Sequence, residues 1–130
     1  MSSADKINLK KLQSHVGNNA SDAEDMIKLF LQIVPKQIKK LKKAVEQQNW
    51  ENLHYISHQI KPTLDILGLK DARKNAEIIE EYAKTGTEVE VIKQFVNELS
   101  QELKETCNKL KLLLTENLNN KQETKPKQDT

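Results

Sequence analysis

Apolar residues in this chain recur at every third or fourth position, and nowhere do they alternate with polar ones over a sustained stretch. That period restricts the chain to amphipathic helices, because side chains on a strand repeat every second residue. Met26, Ile27, Phe30, Ile33, Val34, Ile38, Leu41 and Val45 form a first stripe, and Leu53, Ile56, Ile60, Leu64 and Leu67 a second. Leu69, Ala72, Ala76, Ile79 and Ala83 form a third, and Ile92, Phe95, Val96, Leu99, Leu103, Leu110, Leu113 and Leu114 a fourth. Ser21 with Glu24 has the form of a capping box that opens the first helix, and Asn49 suits the N-cap of the second. Gly68 and Gly86 end the second and third helices. Pro35 lies inside the first stripe and predicts a kink or short break there. The expected fold is all-α: an up-and-down antiparallel four-helix bundle over residues 21–118, because short connections make neighbouring helices antiparallel. Its helices are expected at about residues 21–47, 50–67, 69–85 and 88–118. Residues 1–20 are read as a leader in which Ile7, Leu9 and Leu12 form a short helix or turn before Gly17-Asn18-Asn19. Residues 119–130 hold nothing apolar and are expected to be a disordered tail.

Composition narrows the class of function. The 130 residues suffice for one domain with a single core, and aromatics at 4% leave that core to Leu, Ile, Val and Ala. The net charge of +2 comes from Lys and Glu interleaved along the helices, with no basic block beside stacking aromatics, so no nucleic-acid surface is expected. Cys107 is the only cysteine and falls on the fourth stripe, which makes it a buried thiol and excludes an internal disulfide. There is no apolar signal region and no run near the roughly 20 apolar residues of a membrane span. A cytoplasmic location and no membrane contact are therefore expected, and a monomer is the simplest state.

The second helix carries the chemistry. At about 100° per residue, with Leu53 at zero, its apolar stripe stays within about 60°, while Lys61 falls near 80°, His54 near 100°, Asp65 near 120° and His58 near 140°. Two imidazoles, an ammonium and a carboxylate thus share one polar face, with Pro62 close by at about 180°. Pro62 removes the backbone bond to the His58 carbonyl, a change that costs roughly 3 kcal/mol in an ordinary helix interior. An ordinary solvated face would explain the two histidines alone. The lysine one turn after His58, the proline and Gly68 together argue for more.

The segment His58-Gln59-Ile60-Lys61-Pro62-Thr63-Leu64-Asp65-Ile66-Leu67-Gly68-Leu69 resembles the signature of the histidine phosphotransfer (HPt) domain family: a His, a Lys three residues on, small residues after it and a Gly about ten residues on. The preceding apolar helix with Phe30, and Asn49-Trp50 leading into the His helix, are also similar, and the resemblance spans about residues 20–115. Pro62 stands where that family usually has Gly, and Thr63 where Ser is common; both are compact enough to let a partner approach.

The resemblance implies a phosphorelay intermediate that accepts a phosphoryl group on His58 from aspartates of receiver domains and donates it to others. Lys61 would offset the roughly −1.5 to −2 charge of the phosphoryl group as an exposed contact. An acidic residue about 22 positions after the His, here Glu80, would hold the other imidazole nitrogen; on its own helix it lies near 80° from the apolar stripe, at the edge of the interface. Response-regulator receivers, or a hybrid sensor kinase, would dock around His54, Tyr55, Pro62, Asp65, Ile66 and Gly68. No cofactor or metal site is implied on this chain; Mg²⁺ would sit on the receiver, and the domain would be a carrier, not an enzyme. Two other readings compete. One is a non-phosphorylated helical adaptor. The other is a metal site on His54 and His58, whose i, i+4 spacing suits two ligands. Asp65 is poorly placed as a third ligand, and Tyr55 stands where a metalloprotease motif has Glu.

Overall fold

The computed structural model describes residues 20–129, with side chains for residues 23–116. Four helices follow one another: α1 (Ala20–Glu46), α2 (Trp50–Leu67), α3 (Lys70–Ala83) and α4 (Val89–Asp129). Each packs on the next and α4 returns to α1, so the four close around one core. The core is the four apolar stripes turned inward: Ile27, Phe30, Val34, Ile38, Leu41 and Val45 from α1 meet Leu53, Ile56, Ile60, Leu64 and Leu67 from α2. Leu69, Ala72, Ala76, Ile79 and Ala83 beside α3, and Ile92, Val96, Leu99, Leu103 and Leu110 from α4, complete it. Cys107 is buried among them, and that burial pushes its thiol pKa up.

Four boundaries differ from expectation. α1 already includes Ala20, so Ser21 lies inside its first turn instead of capping it. Pro35 does not interrupt α1, because Val34 and Ile38 on either side of it are buried in the core and hold the chain on course. α3 is shorter than expected: Leu69 is its N-cap and Ala83 its last residue. α4 runs on to Asp129 in place of the expected tail. Extension of an existing helix avoids the cost of nucleation, and Lys, Gln and Glu favour it, while Asn119, Asn120 and Pro126 oppose it. The leader with Ile7, Leu9 and Leu12 lies outside the described residues.

The α2–α3 turn sets the height of everything on the two helices. Asn49 Oδ1 accepts from the Asn52 N–H at 3.1 Å and starts α2. Gly68 ends it in the left-handed conformation, φ 73° and ψ 24°, a region that glycine enters without steric cost. The Gly68 N–H bonds the Asp65 carbonyl (3.1 Å) and the Leu69 N–H bonds that of Leu64 (3.0 Å), which closes the helix end in a Schellman-type turn. Leu69 then drops into the core and α3 starts at once. His58 lies nine residues before Leu67, and Glu80 ten residues after Lys70. At 1.5 Å per residue both stand about 14 Å from the turn, at the same level.

The α3–α4 turn rests on an aromatic floor. Gly86 also has positive φ (65°), and a Cβ built there would fall 2.3 Å from Trp50 Cδ1. Trp50 packs against the core at the start of α2, so the ring cannot step aside freely. Gly86→Ala is therefore expected to destabilise the bundle by about 1–3 kcal/mol through strain and overpacking. Urea unfolding followed by the fluorescence of Trp50, the only tryptophan, measures this; a midpoint equal to wild type would contradict it.

Candidate functional site

Among the polar residues of α2, His54, His58, Lys61 and Asp65 stand at spacings of four, three and four that keep them on one face. Arg73, Glu77 and Glu80 of α3 share a face on the same rule. Because the two helices are antiparallel and level, these stripes meet along one seam. At its lower end Arg73 Nε donates to Asp65 Oδ1 at 2.6 Å, and Arg73 also bonds Glu77. At its upper end three side chains of α2 converge on one residue of α3. His58 Nδ1 lies 2.6 Å from Glu80 Oε2, Lys61 Nζ 2.8 Å from Glu80 Oε1, and His54 Nδ1 2.9 Å from the Glu80 backbone oxygen.

The protonation pattern follows from what each partner can do. An ionised carboxylate and a carbonyl only accept, so both Nδ1 atoms carry hydrogen. In the neutral rings Nε2 is then the unprotonated nitrogen. For His58 that nitrogen lies on the ring edge away from Glu80, on a side chain that is 68% exposed. Glu80 is the reverse: its side chain is only 16% exposed. Burial works to raise its pKa, but the hydrogen bonds from Lys61 and His58, with the charges behind them, outweigh burial and hold the carboxyl below its ordinary value. Charge-assisted bonds of this kind are among the stronger ones in proteins. The result is an anion fixed behind an outward-facing nucleophilic nitrogen.

The other residues singled out in the sequence fall in different places. Lys61 was expected as an exposed ammonium, but its side chain is 18% exposed and lies in the seam, drawn there by the Glu80 carboxylate. Ile66 was expected on the outer face but packs against the core. Gly68 shapes the helix end, as described above. Tyr55 is 60% exposed and Pro62 is exposed, each within a turn of His58. Asp65 is engaged by Arg73, and among the described residues no three His, Cys, Asp or Glu side chains gather to hold a metal ion. His54 is half-buried and turned to α3. Its bond to a backbone oxygen has no sequence signature except the 54, 58, 61 spacing itself. Arg73 was not anticipated, although its placement four residues before Glu77 marks the same face.

Comparison with known proteins shows the family and the fold. The family model described as "Hpt domain" matches residues 25–111. The fold is similar to that of the HPT domain from an Hpt sensor hybrid histidine kinase of Shewanella, with a TM-score of 0.72, covering 87% of this chain and 97% of that one at 20% identity. No curated protein matches the chain. The chain belongs to the Hpt family, whose role is histidine phosphotransfer in a phosphorelay, with receiver domains of two-component signalling as partners. Among the described residues no helix is long and apolar enough to cross a membrane.

Glu80 makes the site pH-dependent in a definite direction. A carboxyl with a lowered folded-state pKa contributes stability above its unfolded pKa, and that contribution is lost as pH falls through the folded value. The stability gap between wild type and Glu80→Gln is therefore expected to be full at neutral pH and to shrink below the ordinary carboxylate range. Urea titrations at pH 7 and pH 3 check this; a gap that stayed constant or widened in acid would contradict it.

Proposed function

We propose that His58 is the phosphoacceptor, that it receives the phosphoryl group from an aspartate of one receiver domain, and that it passes the group to an aspartate of another. The observation that carries this reading is the exposed His58 ring, held by its Nδ1–H on a half-buried, ionised Glu80 so that Nε2 faces outward. The Nε2 lone pair attacks phosphorus as the bond to the aspartate oxygen breaks, and the aspartate leaves as a carboxylate. The new N–P bond places positive charge on a ring whose Nδ1 proton stays in place, and Glu80 balances that charge across 2.6 Å. The reverse step, with a second aspartate as nucleophile, empties the site.

Lys61 starts the cycle bonded to Glu80. A phosphoryl group on Nε2 brings a second anion to the same neighbourhood, and the ammonium serves both. Its effect rises when a docked receiver excludes water. Mg²⁺ and the reacting aspartate come from the receiver, so this chain acts as a carrier and not as the catalyst. A receiver of a response regulator or of a hybrid kinase approaches over the exposed Tyr55, His58 and Pro62. The seam residues hold the imidazole from behind.

Incubation with a receiver whose aspartyl phosphate carries the label tests the reading. Wild type is expected to take acid-labile, alkali-stable label, His58→Gln none, and Lys61→Ala the same label more slowly. A protein that bound the receiver without taking label would be an adaptor, and label persisting in His58→Gln would move the acceptor elsewhere.

A further inference from the structure

At the C-terminal end of α3 the backbone tightens around the Glu80 carbonyl. In a regular continuation the Lys84 N–H would bond the Glu80 oxygen. At this end Lys84 bonds Glu81 (3.2 Å), and Thr85 and Gly86 both bond Tyr82 (3.3 and 3.0 Å), as the chain tightens toward the Gly86 turn. The last carbonyls of a helix need partners from outside it. The Glu80 oxygen has the His54 Nδ1–H at 2.9 Å. A histidine donor at a helix C-terminus is also favoured by the partial negative charge there.

We propose that His54 is a positioning residue for phosphotransfer: by capping the Glu80 carbonyl it fixes the backbone of Glu80, and through it the carboxylate that holds His58. This rests on the phosphoacceptor reading above. His54, His58 and Lys61 stand at i, i+4 and i+7, on successive turns of α2, and each grips a different oxygen of the same residue. Two of those bonds end on a side chain that can rotate. The third ends on the main chain in the last turn of a helix, where the ladder is weakest. Without it, Glu80 would stand on a fraying turn, and the orientation of the His58 ring would loosen with it. His54 therefore turns inward, with Nδ1 committed to α3 and out of a partner's reach.

The test separates the donor from the ring. His54→Asn keeps an N–H close to the position of Nδ1, while His54→Leu keeps bulk and loses the donor. Two readouts are taken: the His58 ring tautomer by nitrogen-15 NMR of the unphosphorylated protein, and the rate of label transfer from a phosphorylated receiver. His54→Leu is expected to reduce the Nδ1–H form of His58 and to slow transfer roughly three- to tenfold, the weight of one hydrogen bond. His54→Asn is expected to recover most of both. A wild-type His54 in the Nε2–H tautomer would overturn the proposal whether or not either variant folds. A His54→Leu protein with an unchanged His58 tautomer and rate would do so too, as would equal losses in both variants. Failure of wild type to take label would instead count against the phosphoacceptor reading, and the tautomer measurement would still decide the role of His54.

Discussion

The carboxylate of Glu80 is the interaction on which this site depends. It lies mostly out of water, which penalises its charge, and it stays charged because an ammonium and an imidazole N–H reach it at 2.8 and 2.6 Å. Two consequences follow from that balance. The ring of His58 is held in one tautomer with its unprotonated nitrogen outward. On the proposed reading, the negative charge that would stabilise a phosphorylated, positively charged ring is in place before any partner arrives. A carboxylate left fully in water would be screened and mobile, and would do neither as well.

The rest of the bundle serves that placement. Gly68 permits a two-residue reversal between α2 and α3, so residues about equally far from the turn face each other. The apolar stripes hold the two helices in register, with Ile60 and Leu64 of α2 and Ala76 and Ile79 of α3 all fully buried. The small alanines on α3 let it approach α2 closely enough for short polar side chains to meet. Function then sits on the wet edge of the most tightly packed seam. Rigid helices on both sides would spare the proposed acceptor any reorganisation before transfer.

Much of this was legible in the sequence because it depends on spacing. Helix periodicity located the four stripes, and the Asn49 and Gly68 signals placed α2 at residues 50–67. The partnership of His58 with Glu80, 22 residues on, was legible only through the family resemblance; two helices and one short turn explain why that spacing brings them level. What could not be read depends on backbone detail or on competition between partners. The bond from His54 to the Glu80 carbonyl falls in the last, tightened turn of α3, a detail of backbone geometry. The retreat of Lys61 into the seam reflects an anion whose burial is set by packing. Pro35 suggested a break, but the core contacts on both sides of it outweighed one missing hydrogen bond. The helical residues beyond 118 follow from helix continuation, which leaves no apolar pattern to detect.

The central claim is that Glu80 fixes which nitrogen of His58 reacts. Long-range proton–nitrogen correlation spectra of histidine-labelled protein, recorded before and after phosphorylation by a receiver, measure this directly. The account predicts a neutral His58 protonated on Nδ1 and, after transfer, a phosphoryl group on Nε2 with the Nδ1 proton retained. Phosphorylation on Nδ1, or a resting ring protonated on Nε2, would contradict it.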